Sequence, residues 1–154
     1  WIVNVASMSG MGGLPYGGAY NATKAAVVAL SESWAEELKS KGIRVSVLCP
    51  AFVQTRIYDS ERNRPAQYKS ETATQDGDNN FSKISEQMVK NGIDVSIVGK
   101  RVVEALIDGE MYIFTHPNYR PVVQGRYDAI DKAFIKSEKS PLLQHIKNQK
   151  LDML

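Results

Sequence analysis

Two short apolar runs, separated by one long amphipathic segment, limit this chain to few folds. Residues 1–6 and 43–50 are rich in β-branched side chains, which is typical of strands covered on both faces in a parallel sheet. From about Ala19 to Lys41 apolar residues recur every three or four positions and predict a helix. Its apolar stripe would consist of Thr23, Val27, Leu30, Trp34 and Leu38. A strand, a helix and a strand in this order form a βαβ unit, so the sequence predicts an α/β fold.

The first strand requires neighbours. The chain begins inside an apolar run, without a methionine or a turn before it. A strand that is apolar on both faces belongs inside a sheet, so we expect an N-terminal part that this sequence does not include.

A long polar segment follows the second strand. Residues 51–80 are charged and poor in aliphatic side chains. They are expected to form a loop or lid with at most a short helix. A disordered surface loop is the equally acceptable alternative.

The rest of the chain predicts helices around one more strand. Helical patterns cover residues 82–90 and 94–107, where Asp94 is the expected N-cap. The buried face of the second of these helices would consist of Val95, Val98, Val102, Ala105 and Leu106. Residues 111–116 predict a third strand. Two helices, over about 118–136 and 142–151, are expected after it.

Composition excludes several classes of protein. The 154 residues, of which 43% are hydrophobic, are enough for one core and one domain. The 19 basic and 17 acidic residues are mixed along the chain, so no basic face for nucleic acid is expected. Cys49 is the only cysteine, and no apolar run reaches the length of about 20 residues that spans a bilayer. The expectation is a soluble, cytoplasmic protein without a disulfide or a membrane span.

The start of the long helix carries a pair of residues with acid–base chemistry. Tyr20 and Lys24 are four positions apart, so both side chains lie on one face of the helix. A nearby ammonium favours the phenolate form of a tyrosine, which brings proton transfer closer to neutral pH. Taken alone, this spacing also fits an ordinary structural pair.

Neighbouring residues favour the acid–base interpretation. Ser7 follows the first strand and is joined to Tyr20 by a glycine-rich loop, while Pro50 and Thr55 follow the second strand. In open α/β sheets, ligands bind at the carboxyl ends of the strands. All of these residues are therefore expected to face one crevice.

Together these segments resemble the C-terminal half of the short-chain dehydrogenase/reductase family. The motifs that match in order and spacing are "IVNVAS" with Ser7, "YNATK" with Tyr20 and Lys24, and "RVSVLCPAFVQT" with Pro50 and Thr55. The resemblance is close over residues 1–56 and looser beyond them. It implies a Rossmann-like doubly wound parallel sheet, of which residues 1–154 form the C-terminal part. Residues 56–80 would be the substrate loop.

The resemblance also implies a role for each matching residue. Tyr20 would be the general acid or base at the substrate oxygen, Ser7 would orient that oxygen, and Lys24 would favour the phenolate and hold the nicotinamide ribose. Val53, through its backbone, and Thr55 would contact the nicotinamide carboxamide. The implied cofactor-binding residues are Tyr20, Lys24, Pro50, Val53 and Thr55.

The cofactor itself would be NAD or NADP. The family's pyrophosphate loop, the residue that selects between the two cofactors and a catalytic asparagine belong to the half of the domain that this sequence does not match. Two departures occur within the matching half, where Ala51 replaces a usual glycine and Ala6 replaces a frequent serine.

The loop between Ser7 and Tyr20 invites two interpretations. "GMGGLPYGG", residues 10–18, resembles a phosphate loop, but Pro15 occupies the last glycine position of G-x-G-x-x-G. The preferred interpretation is that the loop lets Ser7 and Tyr20 converge. The residues expected to line the substrate pocket are Ser7, Met8, Leu14 and Tyr16.

Two histidines and one loop remain to be interpreted. His116 and His145 lack partners at ligand spacing, so no metal site is expected, and His116 would end the last strand. Residues 62–69 and the "THP" segment are loosely similar to dehydrogenases that oxidise benzylic alcohols in lignin-derived aryl ethers. A solvated lid without particular specificity is the alternative.

The expected activity is NAD(P)-dependent interconversion of a small secondary alcohol and a ketone. The resemblance implies a homodimer or homotetramer. Two alternatives stay open. One is an incomplete or inactive fragment that assembles with or binds a partner, and the other is a reductase of carrier-bound 3-oxoacyl groups.

Overall fold

Three parallel strands form the centre of the computed structural model, which describes residues 1–68 and 79–149. The strands are β1 (Ile2–Val5), β2 (Val45–Cys49) and β3 (Tyr112–Phe114), in the order β1-β2-β3. Asn4 pairs with Val47, and Leu48 pairs with Ile113. The parallel α/β fold predicted from the sequence is confirmed.

The two predicted apolar strands differ in burial. Every residue of β2 is buried, because β1 and β3 flank it. Among the described strands β1 pairs only with β2, and its residues are partly buried or exposed. The side chain of Val5 at its end is 57% exposed.

Helix α2 (Gly18–Lys39) packs on one face of the sheet, and its fully buried residues lie outside the predicted stripe. Its buried residues are Val28 and Ser31, whereas Thr23 and Leu30 are exposed. The Asn4 side-chain amide donates a hydrogen bond of 3.0 Å to Ser31 Oγ, which in turn donates to the Val27 carbonyl. The other three residues of the predicted stripe, Val27, Trp34 and Leu38, are partly buried. The prediction was wrong for Thr23 and Leu30, and a polar pair rather than an apolar one joins this helix to β1.

Helix α4 (Val95–Asp108) packs on the opposite face of the sheet. The residues that form this core are Leu48, Val98, Ala105 and Ile113. Asp94 caps the helix by accepting a 2.7 Å hydrogen bond from Ser96 N, as predicted. Val95, which was placed on the buried face, is 57% exposed. Unlike α2, this helix follows the predicted pattern along most of its length.

Short helices interrupt segments that were expected to be loops. Helix α1 (Met8–Met11) lies within the glycine-rich loop. Two 3₁₀ segments, Ile57–Asn63 and Ala66–Tyr68, lie in the predicted lid, and helix α3 (Asn79–Lys90) begins slightly before the predicted position. The middle of that lid, residues 69–78, lies outside the described part of the chain.

A second compact unit begins at Pro117. It contains a 3₁₀ turn (Pro117–Tyr119), helix α5 (Arg120–Glu138) and another 3₁₀ turn (Pro141–Leu143). The helix expected over 142–151 is not found in its described residues, where turns follow Leu143 instead. No described helix is long and apolar enough to cross a membrane.

Candidate active site

The hydrogen bonds between β1 and β2 continue past the ends of the strands. Ala6 N donates to the Leu48 carbonyl at 2.8 Å, and Met8 N donates to the Pro50 carbonyl at 2.9 Å. Ser7 and Pro50 therefore lie side by side at the carboxyl edge of the sheet, where the sequence predicted them.

The hydroxyl of Ser7 has two partners in this position. It accepts a hydrogen bond of 3.1 Å from Ser9 N and so caps α1, and it donates a long one of 3.5 Å to the Pro50 carbonyl. The residue is only 9% exposed. The cap explains why a helix forms here although glycine is frequent, because it satisfies an N–H at the start of the helix.

Close contact between backbones fixes α1 against α2. A Cβ atom placed on Gly10 would lie 2.7 Å from the Lys24 carbonyl oxygen, so only glycine fits here without a shift. The contact positions the helical turn that carries Lys24 relative to the segment that begins at Ser7.

Tyr20 and Lys24 lie together on the exposed face at the start of α2. The Lys24 ammonium is 5.8 Å from the centroid of the Tyr20 ring, and it donates a hydrogen bond of 3.1 Å to the Val5 carbonyl at the end of β1. The Tyr20 side chain remains 44% exposed. Within the described residues no hydrogen bond joins the Ser7 hydroxyl to the Tyr20 phenol. The structure thus brings Lys24 to Tyr20 and Ser7 to Pro50.

The segment after β2 is held by an isolated parallel bridge between Val53 and Ile93. Ile93 N donates to the Phe52 carbonyl at 3.1 Å, and Gln54 N donates to the Ile93 carbonyl at 2.9 Å. Thr55, beyond the bridge, is exposed and accepts a 3.4 Å hydrogen bond from Ile57 N.

Thr55 also lines a shallow cavity of about 410 Å³. The other lining residues are Gln54, Arg56, Tyr58 and Lys90. Lys90 lies 5.3 Å from the centroid of the Tyr58 ring and pairs with Glu86 at 2.6 Å. The cavity thus joins the predicted cofactor segment to helix α3.

His116 lies at this edge of the sheet, two residues after β3, and the sequence predicted no role for it there beyond the end of the strand. Its Nδ1 atom is 2.7 Å from the Thr115 hydroxyl and accepts a 3.4 Å hydrogen bond from Ala51 N. Burial lowers the pKa of His116 below its ordinary value, and a hydrogen bond with the Phe52 backbone opposes this effect. No local sequence pattern reveals these contacts, because 65 positions separate the histidine from Ala51.

The residues predicted to line the substrate pocket lie in different environments. Met8 is buried, whereas Leu14 is 51% and Tyr16 is 97% exposed. Tyr16 has a positive φ of 62°, which is uncommon for a bulky residue. The Asn21 side-chain amide donates to the Leu14 carbonyl at 2.9 Å and so ties this loop to α2. The structure does not gather these side chains into one enclosed pocket among its described residues.

The described residues contain no group of three or more side chains able to bind a metal ion. Cys49, at the end of β2, is buried. Desolvation by this burial raises the pKa of its thiol to about 11.

Comparisons with known proteins agree with the motifs at this edge. Residues 1–66 match the short chain dehydrogenase family. A "CLA biosynthesis dehydrogenase/reductase" of Lactiplantibacillus plantarum is 35% identical over 134 residues, covering 84% of this chain and 47% of the relative. A "C alpha-dehydrogenase" of Sphingobium is 29% identical over 140 residues, covering 91% of this chain and 45% of the relative.

A crystal structure supports the same relationship. A short chain dehydrogenase/reductase from Burkholderia phymatum, solved in complex with NAD, has a TM-score of 0.80 and 35% identity. The match covers 86% of this chain and 48% of that one. The chain thus spans about half the length of the curated relatives that it matches.

Proposed function

This chain belongs to the short-chain dehydrogenase/reductase family, and on that premise we propose that the protein transfers hydride between a nicotinamide cofactor and a small secondary alcohol or ketone. The observation that carries the proposal is the position of the Lys24 ammonium, 5.8 Å from the Tyr20 ring and hydrogen-bonded to the end of β1. The carboxyl edge of a parallel sheet is where α/β enzymes bind their ligands.

The residues at this edge fit the nicotinamide end of such a cofactor. Lys24 offers an ammonium for ribose hydroxyls, while Val53 offers its backbone and Thr55 an exposed hydroxyl for a carboxamide. Pro50 directs the chain from β2 into this segment. The bound cofactor, NAD or NADP, would supply the hydride acceptor or donor. The NAD complex of the relative from Burkholderia phymatum supports a cofactor of this class.

Tyr20 is the proton-transfer group of this proposal. In the oxidation direction its phenolate would take the proton of the substrate hydroxyl and become a neutral phenol. A nicotinamide bound at this edge would supply the acceptor for the hydride of the carbinol carbon, which leaves a ketone. The Lys24 ammonium lies 5.8 Å from the centroid of this ring. The exposed side of the Tyr20 ring is where a substrate oxygen would approach.

Ser7 would orient the substrate oxygen. Its hydroxyl keeps the hydrogen bond from Ser9 N, which holds the side chain in one rotamer. The other contact, to the Pro50 carbonyl, is long at 3.5 Å and can be exchanged for a hydrogen bond to substrate at low cost. A preorganised donor of this kind contributes to catalysis because it does not reorient during the reaction.

The exposed side chains of Leu14 and Tyr16 suit a substrate with an apolar or aromatic group. The resemblance of residues 62–69 to dehydrogenases of benzylic alcohols makes such an alcohol our proposed substrate, and a Sphingobium relative is named "C alpha-dehydrogenase". A homodimer or homotetramer in the cytoplasm completes the proposal.

The test is a turnover assay with the full-length protein. NAD⁺ and NADP⁺ are each offered with a benzylic secondary alcohol, a linear secondary alcohol and a 3-hydroxyacyl thioester on a carrier protein. We expect formation of reduced cofactor with the free alcohols. Turnover of the thioester alone would favour a carrier-bound 3-oxoacyl reductase instead, and no reduction with any pair would refute hydride transfer.

A further inference from the structure

A glycine between α3 and α4 touches the segment that follows β2. A Cβ atom placed on Gly92 would collide with the Phe52 carbonyl oxygen and would lie 2.8 Å from Val53 N. Both are backbone atoms, so a side chain at position 92 would displace the peptide between Phe52 and Val53 instead of moving a flexible group.

The residue after this glycine fixes the same peptide by hydrogen bonds. Ile93 N donates to the Phe52 carbonyl at 3.1 Å, and the Ile93 carbonyl accepts from Gln54 N at 2.9 Å. The bridge partner, Val53, packs against the core formed with α4. The parallel pairing of Val53 with Ile93 therefore requires the close approach of Gly92 to the Phe52 backbone.

His116 contacts the part of this segment that precedes Val53. Its Nδ1 accepts from Ala51 N at 3.4 Å and lies 2.7 Å from the Thr115 hydroxyl. Nδ1 accepts the backbone N–H of Ala51 when the ring carries its proton on Nε2. Contacts from two separate parts of the chain thus meet at residues 51–54.

We propose that Gly92 and His116 are positioning residues, which hold the backbone of residues 51–54 so that Val53 and Thr55 face the nicotinamide ring of the cofactor. This inference rests on the proposed function, because it assigns these two residues to the same cofactor segment. Neither residue contacts the reacting atoms.

The first test is cofactor binding by Gly92→Ala in the full-length protein. Two ligands are compared by calorimetry, the reduced dinucleotide cofactor and ADP-ribose, which lacks the nicotinamide ring. Displacement of the Phe52–Val53 peptide should raise Kd for the cofactor by on the order of tenfold, since small misplacements in a site are costly. The Kd for ADP-ribose should stay unchanged.

Gly99→Ala is the matched control. Position 99 lies within α4, and an added Cβ there meets nothing within 4 Å. Both ligands should bind this variant as they bind the parent protein.

His116 provides a second pair of variants in case Gly92→Ala does not fold. His116→Leu removes the acceptor for Ala51 N and should weaken binding of the cofactor but not of ADP-ribose. His116→Asn places an amide oxygen near the position of Nδ1 and should restore cofactor binding.

The outcomes separate this inference from the function on which it rests. Equal cofactor affinity in the parent, Gly92→Ala and His116→Leu proteins would overturn the positioning roles and leave the dehydrogenase proposal intact. Parallel weakening of both ligands would overturn them too, because it would indicate general destabilisation. A parent that binds ADP-ribose but no nicotinamide dinucleotide would overturn both the function and this inference.

Discussion

The two edges of the same sheet use polar side chains for different purposes. At the amino edge, the Trp1 indole N–H donates to Ser46 Oγ at 3.2 Å, and the Ser46 hydroxyl donates to the Glu110 carbonyl at 2.7 Å. The Arg44 guanidinium stacks 4.9 Å from the Trp1 ring centroid. At the carboxyl edge, by contrast, Tyr20 is held near an ammonium but keeps 44% of its surface exposed.

Under the proposed function, the residues at one edge of the sheet stabilise the fold and those at the other edge act on a ligand. A polar group whose hydrogen bonds are all used inside the protein contributes to folding. A polar group that is oriented but still accessible can act on a ligand. Variants at the amino edge should therefore change unfolding, and variants at the carboxyl edge should change turnover.

Tyr20→Phe should have the largest effect of these variants, a loss of turnover without a loss of stability. Loss of the phenol removes the proton-transfer group, so kcat/KM should fall by roughly 100-fold to 10,000-fold. The thermal unfolding midpoint should stay the same, because the side chain is largely exposed and its ring is retained. Steady-state kinetics and a melting curve measure the two quantities, and retained turnover would contradict the mechanism.

Gly10→Ala should lower both turnover and stability. It therefore tests whether residues at the carboxyl edge affect turnover alone. The new Cβ would press on the Lys24 carbonyl, so we expect turnover to fall by about tenfold. The free energy of unfolding should drop by about 1–3 kcal/mol, the usual cost of overpacking. Gly12→Ala is the control, since nothing lies within 4 Å of a Cβ there. If both variants behave alike, the contact does not position Lys24.

Ser46→Ala should change stability alone. The hydroxyl is fully buried and joins Trp1 to Glu110, so its removal leaves two groups without this partner. We expect a loss of about 1–3 kcal/mol in the free energy of unfolding and no change in KM or kcat. Chemical denaturation gives the first value, and a drop in turnover would show that the amino edge also serves the active site.

Cys49 should give the smallest and most local effect, a slow reaction with iodoacetamide. Because burial raises the pKa of the thiol to about 11, about one thiol in a thousand is ionised at pH 8 in the folded protein. The rate of alkylation should increase as the pH approaches this pKa. It should also increase as soon as the protein unfolds. Rapid alkylation of the native protein at pH 8 would show that the carboxyl end of β2 opens readily.

The sequence was sufficient to predict features that depend on local patterns. The Asp94 cap, the parallel strands and the pairing of Tyr20 with Lys24 follow from the spacing of residues along single elements. The motifs around Ser7 and Tyr20 identified the family for the same reason.

The features that were missed depend on contacts between distant residues. The buried face of α2 differs from the prediction because Ser31 bonds to Asn4 on another element. Hydropathy alone assigns such a serine to the surface. The contacts of Gly92 and His116 could not be predicted either, since their partners near Phe52 are far away in the sequence.

The parallel bridge between Val53 and Ile93 also marks a place where segments of this protein can be exchanged with those of a relative. Paired residues in a sheet keep the two ends of the intervening segment about 4.8 Å apart, whatever the segment contains. The entropy of closing an insert between fixed ends changes only slowly with its length. A chimaera that exchanges residues 56–91 with those of a relative would therefore test whether this segment contributes to substrate preference, while Ser7, Tyr20, Lys24, Thr55 and Gly92 stay with the recipient.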